Sequence, residues 1–304
     1  MKRISILIRT MRPAQWSKNI VVLAPFVFAI GDRTQQLELA SMWKVLLAAA
    51  AFCVLSSSVY IFNDIRDRPM DRSHPLKRHR PIAAGELPVP SAVMFGLLLA
   101  LLSLIAFFRI DARAFGTASS YLALQCIYTV LLKNVPLIDL LVISIGFVLR
   151  AITGAAAAGA AISPWLLLCA FWLALFLVLC KRRHEKTSLE HLEGATRPAL
   201  TKYDVTLLDQ LIAVIAAVTI VSYALYTLWP DTVSKFGSRA LVLTVPYVVF
   251  GIFRYLDLVY RHDLGDRPEK VLLTDMPILI NVLLYGVTVV TLLICLGPRF
   301  SCPF

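Results

Sequence analysis

Asp64, Asp67 and Asp71 stand three and four residues apart in the stretch Asn63-Asp64-Ile65-Arg66-Asp67-Arg68-Pro69-Met70-Asp71. On a helix this spacing puts all three carboxylates on one face. Like charges so placed repel unless a cation lies among them. Three hard oxygen donors beside the carboxamide oxygen of Asn63 suit Mg²⁺, so these four residues form the expected metal set. Arg72, Lys77, Arg78 and Arg80 come next in the chain. Guanidinium and ammonium groups beside such a metal grip phosphate oxygens. The stretch therefore predicts a metal-assisted reaction on a phosphorylated substrate. A solvated loop of mixed charge is the plainer reading, but clustered acids beside apolar spans are costly and usually functional.

Other polar residues stand out against apolar surroundings. Arg150 ends the run Leu140-Leu141-Val142-Ile143-Ser144-Ile145-Gly146-Phe147-Val148-Leu149. Asp139 lies eleven residues earlier on nearly the same side, too far to pair directly at ~1.5 Å per residue. The two are expected to line one aqueous cavity. Alternatively Arg150 snorkels to the far interface and Asp139 caps its helix. Lys181-Arg182-Arg183-His184-Glu185-Lys186 closes a later span. Its cations suit headgroup anchoring or phosphate binding, and Glu185 is either a further metal ligand or a lone acid among them. Tyr203, in Lys202-Tyr203-Asp204, is placed to approach a polar ligand from above. Lys18 and Asn19 follow Trp16 near the first span, and Lys133 occupies a very short loop. Both lysines fit either an interfacial anchor or a phosphate ligand. The histidines His74, His79, His184, His191 and His262 lack metal spacing and read as solvated. His262 to Lys270 reads as a gating or structural loop.

The elements that must hold these groups are apolar. The chain has 304 residues, 59% of them hydrophobic, and a mean hydropathy of +0.75. Runs long enough to cross ~30 Å of hydrocarbon recur along it. The expected fold is all-α: a single polytopic membrane domain of nine spans, near residues 14–31, 44–62, 91–108, 114–132, 136–157, 164–181, 207–228, 238–257 and 275–297. The two longest polar segments, 63–90 and 182–206, read as loops after the second and sixth spans, an arrangement consistent with a weak four-helix repeat. Of the 30 Lys and Arg, 22 fall on one set of connecting segments and 7 on the other. That asymmetry puts the N-terminus and the long loops in the cytoplasm. It also accounts for the net charge of +11 without nucleic acid. No cleavable signal is expected, since Arg9, Arg12 and Pro13 interrupt the first short apolar run. The six cysteines show no C-x-x-C spacing, which argues against zinc or a disulfide framework.

The acidic stretch, with Arg80-Pro81 and Gly85 after it, resembles the first aspartate-rich signature of the UbiA-type intramembrane prenyltransferase superfamily. The resemblance implies a UbiA-like bundle with a cytoplasm-facing central cavity, and Mg²⁺ at the diphosphate of a prenyl donor. Members usually carry a second aspartate pair after the sixth span, where this chain has Lys181-Arg182-Arg183-His184-Glu185 with one acid. In that respect it resembles the decaprenyl-phosphate phosphoribosyltransferase branch. The stretches that match are Arg12-Pro13-x-Gln15-Trp16-x-Lys18-Asn19, Ser58-Val59-Tyr60-x-x-Asn63-Asp64 and His74-Pro75-x-Lys77-Arg78-x-Arg80-Pro81 with Ile82 to Gly85. Leu149-Arg150-Ala151-Ile152, Lys181-Arg182-x-x-Glu185, Tyr255 and Pro268-Glu269 match too. Pro69 inside the motif is unusual and is expected to kink a helix there.

This branch implies transfer of 5-phosphoribose from phosphoribosyl diphosphate to a polyprenyl phosphate in a bacterial plasma membrane, giving a precursor of arabinose-donor lipids. Asp64, Asp67 and Asp71 would then be catalytic through Mg²⁺, with Asn63 and Glu185 as further ligands. Lys18, Asn19, Asn63, Lys77, Arg78, Arg80, Lys133, Arg150, Lys181, Arg182 and Tyr203 would bind the two substrates. The alternatives are an ordinary prenyltransferase and, further off, a transporter. Self-association is left open.

Overall fold

The structure, a computed structural model, describes residues 2–35, 37–189, 202–262, 264, 265, 271 and 274–296. It is helical, with no strand among the described residues. The elements are α1 (Lys2–Met11), a 3₁₀ run Pro13–Leu23 leading into α2 (Ala24–Ile30), α3 (Met42–Ser73), α4 (Val89–Ile110), α5 (Ala112–Val130), α6 (Ile138–Ala158), α7 (Pro164–Leu189), α8 (Val205–Leu228), α9 (Pro230–Phe236), α10 (Val245–Arg261) and α11 (Met276–Leu296).

Seven helices are long and apolar enough to cross a membrane: Met42–Ser73, Val89–Ile110, Ile138–Ala158, Pro164–Ser188, Val205–Leu228, Ala240–Arg261 and Met276–Leu293. This is a multi-pass membrane protein. Two of the nine expected spans differ from those seven. The first is no continuous α-helix but a 3₁₀ run continued by a seven-residue helix. The fourth, α5, is long enough but carries Arg113, Thr117, Ser119, Ser120, Gln125 and Thr129. Side chains on the outer faces are those expected against lipid: Leu97, Leu98, Leu101, Ile105 and Phe108 on α4, and Leu283, Leu284 and Val287 on α11, are all exposed.

The acidic stretch lies on a helix rather than in a loop. α3 continues through Pro69 to Ser73, and α7 likewise runs on to Leu189. Polarity marked both stretches as loops, but polar helices are stable where tertiary partners take their charges. The remainder of the 182–206 loop, residues 190–201 with His191, lies outside the described residues, as does most of His262 to Lys270, with Pro268-Glu269.

Two packed clusters form the interior. One joins Val22 and Phe26 to Phe52, Leu55, Phe107 and Tyr121; the other joins Leu140 and Phe176 to Leu208, Ile212 and Tyr255. The 3₁₀ run lies directly on α6, because Gly154 has no side chain. A Cβ there would stand 1.9 Å from the Val22 carbonyl oxygen. This close approach brings Asn19, on the same run, to Arg150 on α6. The 3₁₀ run starts at a reversal. Arg12 adopts φ 55°, ψ 62°, a left-handed conformation, and Pro13 after it disfavours the α region there. α1 meanwhile lays Ile6, Leu7 and Met11 against Ile61, Ile82 and Leu87.

Candidate active site

The last turns of α3 carry the acids, and each acid meets a cation from another part of the chain. Asp64 and Asp71 are only 3% and 4% exposed. Arg80 bridges them, its Nη1 3.1 Å from Asp64 Oδ1 and 2.6 Å from Asp71 Oδ2. The guanidinium of Arg12 also pairs with Asp64. Asp67, turned to the side, pairs with Lys133 from the turn between α5 and α6. Asn63 Oδ1 accepts from Thr129 Oγ1 at 2.6 Å. The spacing predicts all three acids on one face; Asp64 and Asp71 do share Arg80, whereas Asp67 meets a different cation, Lys133.

Arg80 reaches back because the chain folds over after Ser73. His74 Nδ1 accepts the Leu76 and Lys77 amides at 3.2 and 3.3 Å, which starts the 3₁₀ turn Lys77–His79. Arg72 Nε donates to the Ala83 carbonyl at 3.1 Å, and buried Ile82 and Leu87 pin the loop to Ile61. His74 is therefore half-buried and not solvated as expected. Burial, then Lys77, hold its imidazole below the usual range, while Asp71 and Glu185 act the other way. Arg78 is exposed, its Nε donating to His79 Nε2 at 3.4 Å, whereas Lys77 is half-buried.

A second charged group lies on α6 and α7. Asp139 is wholly buried and accepts from Arg182 Nε at 2.9 Å and from Tyr203 Oη at 2.7 Å. Tyr203 Oη in turn accepts the Leu137 amide at 2.6 Å, at the turn where Leu137 has φ 66°. Burial keeps this phenol well above its usual pKa, so it remains a donor. Arg182 Nη1 also donates to Glu185 Oε2 at 2.5 Å. Asp139 therefore lines no aqueous cavity with Arg150. It ties α6 to α7 and to the start of α8, and Glu185 neutralises Arg182. Arg183, next on α7, pairs with Asp209 at 2.6 Å.

Deeper in the bundle, Arg150 Nε donates to Asn19 Oδ1 at 3.0 Å and its Nη2 to Tyr121 Oη at 2.9 Å. Its guanidinium lies over the rings of Phe147, Tyr121 and Phe52, 4.8 to 5.6 Å from their centroids. Arg150 does not snorkel outward. Asn19 also donates to Ser56 Oγ at 3.2 Å. Lys18 is half-buried and donates to Gln15 Oε1, while Trp16 donates to Ser57 Oγ at 3.0 Å. Cys53, Cys126, Cys169 and Cys180 are free thiols.

Among the described residues no three carboxylate, imidazole or thiolate groups converge as a ready ligand set. The donor chemistry nonetheless fits Mg²⁺, since Asp64, Asp67 and Asp71 offer hard oxygens within two turns and Asn63 adds a neutral one. All three acids are balanced by Arg12, Arg80 and Lys133. A divalent metal would give the acids another partner and free Arg12, Arg80 and Lys133 for phosphate oxygens.

Several groups were not singled out in the sequence. Arg12 and Thr129 contact the acid cluster directly. The proline after Arg12 was the one local sign of a special backbone there. Thr129 completes a polar series, Tyr121, Gln125, Thr129 and Lys133, spaced four residues apart and buried throughout. That period of four in a span was a readable signal.

The sequence pattern of the UbiA prenyltransferase family matches residues 22–283. The decaprenyl-phosphate phosphoribosyltransferase of Corynebacterium glutamicum is 36% identical over 277 residues, covering 88% of this chain and 81% of its own. The enzyme of that name from Mycolicibacterium smegmatis is 33% identical over 280 residues, covering 90% and 87%. Among solved structures, a UbiA homolog from Archaeoglobus fulgidus bound to GPP and Mg²⁺ superposes with a TM-score of 0.71 at 17% identity, over 95% of this chain and 99% of the other. At that identity the likeness shows the fold alone.

Proposed function

The chain belongs to the UbiA prenyltransferase family, and from that premise we propose that it transfers 5-phosphoribose from phosphoribosyl diphosphate to a polyprenyl phosphate. It is a transferase. The observation that carries the phosphoribosyl reading over prenyl transfer is at the end of α7. Among the described residues of that helix end the acid is Glu185, 2.5 Å from Arg182 Nη1, and Arg182 is shared with Asp139, so this described end offers no counterpart to the aspartate cluster of α3.

In the reaction, an oxygen of the polyprenyl phosphate bonds to the anomeric carbon of the ribose, and the bond from that carbon to diphosphate breaks. Diphosphate departs with the electron pair. The attacking phosphate is already anionic at neutral pH, so no general base is required. Mg²⁺ held by Asp64, Asp67 and Asp71 with Asn63 would neutralise charge on the leaving diphosphate. Arg12, Arg80 and Lys133, released from the acids, take its oxygens. Lys77 and Arg78, on the same turn as Arg80, meet it from the solvent side. Arg182, held by Asp139 and Glu185, acts as a positioning residue, as does Tyr203. The product would be polyprenyl-phosphoryl-5-phosphoribose, a precursor of arabinose-donor lipids. The distribution of cations supports a cytoplasmic site.

The test uses purified protein in micelles with Mg²⁺, labelled phosphoribosyl diphosphate and decaprenyl phosphate, following label into the lipid phase. Wild type should transfer label. Asp64→Asn and Asp67→Asn should each lower the rate by about a hundredfold or more, roughly 2.7 kcal/mol of transition-state stabilisation. Turnover of a prenyl diphosphate with an aromatic acceptor, and none with phosphoribosyl diphosphate, would overturn the proposal.

A further inference from the structure

Among the described residues Arg150 is a buried cation in the bundle interior that the acid clusters do not balance. It is 5% exposed, and among the described residues no carboxylate pairs with it. Its two hydrogen bonds, to Asn19 Oδ1 and Tyr121 Oη, go to neutral groups and leave Nη1 without either. An uncompensated cation inside a membrane domain is expensive, and such groups are kept where a ligand supplies the opposite charge.

A second group beside it is also unspent. Gln125, 9% exposed, lies one turn along α5 from Tyr121, and its side-chain carboxamide has no hydrogen-bond partner among the described residues. Neither this carboxamide nor Arg150 Nη1 is fully enclosed by protein atoms, so both face space that a ligand can reach. Gly146 of α6 lies between the two donors. A Cβ built there would be 3.1 Å from Gln125 Nε2 and 3.7 Å from Arg150 Nη1, so both nitrogens close on the same point. Above them Thr129, near the end of α5, and Lys133, in the turn that follows, lead to Asn63 and Asp67. Gln125 stands four residues from Thr129, about 6 Å along the helix. That places it within reach of a sugar phosphate whose other end sits at the acid cluster.

We infer that Arg150 and Gln125, opening on Gly146, form a cradle for a phosphate monoester inside the bundle. The inference deepens the proposed function, which supplies two such groups: the 5-phosphate of the ribosyl donor and the phosphate of the polyprenyl acceptor. A dianionic oxygen cluster uses the free guanidinium edge and the carboxamide N–H together. It also balances Arg150. Gln125 is then a substrate-binding residue beyond the acidic signature and its following cations.

Gln125→Glu separates this role from packing. The substitution keeps the shape and sets a carboxylate beside Arg150, which satisfies the cation and occupies the cradle. Thermal unfolding of the protein in micelles is followed without ligand, with ribose 5-phosphate, and with a short-chain polyprenyl phosphate. Wild type should be stabilised by at least one of them. Gln125→Glu should unfold at the same or a higher temperature unliganded, and should bind the stabilising phosphate at least tenfold more weakly. Gln125→Met, apolar and similar in size, should fold as wild type does and fall between them. Loss of the ribose 5-phosphate response alone assigns the cradle to the donor, and loss of the polyprenyl phosphate response alone assigns it to the acceptor. A Gln125→Glu protein that keeps the wild-type response to each, or a wild type that responds to neither, overturns the inference. The phosphoribosyl reading is judged separately by label transfer in the wild type, so either can fail while the other stands.

Discussion

Replacing Asp139 by alanine tests the reasoning about charge in this bundle most directly. Arg182 and Asp139 side chains are 6% and 0% exposed, with Arg182 Nη2 2.8 Å from Asp139 Oδ2. Removing one partner of such a pair costs about 3–5 kcal/mol, since the other charge stays buried. Glu185 remains beside Arg182 and offsets part of that, which puts the charge effect near about 3 kcal/mol. The Tyr203 hydroxyl loses its acceptor as well, adding about 1 kcal/mol. In a chain longer than 150 residues each kcal/mol moves the midpoint by about 2–4 °C, so Asp139→Ala should lower it by roughly 8–16 °C. Asp139→Asn keeps an acceptor for Tyr203 and should lose about half as much. The double variant Asp139→Leu, Arg182→Met removes the buried charge pair but leaves Glu185 without Arg182 and Tyr203 without Asp139, and should recover about half of the loss. The assay is thermal unfolding in micelles across this cycle. If Asp139→Ala lies within about 1 kcal/mol of wild type and the double variant is simply additive, the pair does not hold α6 to α7 as argued.

Gly154→Ala should yield little folded protein by size exclusion in micelles, because its Cβ would meet the Val22 carbonyl at 1.9 Å and backbone cannot yield as a side chain does; a normal elution profile would refute this. Lys133→Met should raise the KM for phosphoribosyl diphosphate about tenfold, a loss of roughly 1.4 kcal/mol, with Lys133→Arg recovering part, and an unchanged KM would remove Lys133 from the donor site. Chelation of divalent metal should abolish label transfer and added Mg²⁺ should restore it; transfer that survives chelation would contradict the metal assignment. His74 titrates below the ordinary value near ~6.5, so between the two values the unfolded chain binds the proton and the folded one does not. Its contribution is complete above about pH 6.5 and declines as pH falls toward the folded value. His74→Asn, which keeps an acceptor for the Leu76 and Lys77 amides, should flatten that part of the stability profile.

The acid cluster was legible because three aspartates at helical spacing are conspicuous in an apolar chain. Its partners were not. Asp67 and Lys133 are 66 residues apart, and only the packing of α3 against α5 brings them together. Asp139 looked like a companion of Arg150 because both lie on one side of α6, but its true partner comes from α7. Seven of the nine expected spans were legible from hydropathy, whereas the helical continuation to Ser73 was hidden by the same charges and by Pro69. Intrinsic propensity counts little where Arg12, Arg80 and Lys133 hold the turns in place. The broken first span was equally hidden, since a 3₁₀ run and an α-helix share nearly the same apolar pattern at this length.

The polarity of α5 has a consequence for how the protein is made. Tyr121 bonds Arg150 and Thr129 bonds Asn63, and with Arg113, Ser119, Ser120 and Gln125 they leave α5 less apolar than the seven helices fit to cross a membrane. Only Asp111 separates it from α4, one of the most apolar helices, and Asp111 caps α5 by accepting the Arg113 and Ala114 amides at 2.7 and 3.2 Å. The two are therefore expected to enter the membrane as one hairpin, with α4 supplying the insertion energy that α5 gives up. Lengthening the Asp111 connection would uncouple them, leaving α5 outside the bilayer during synthesis and the later helices threaded in reverse.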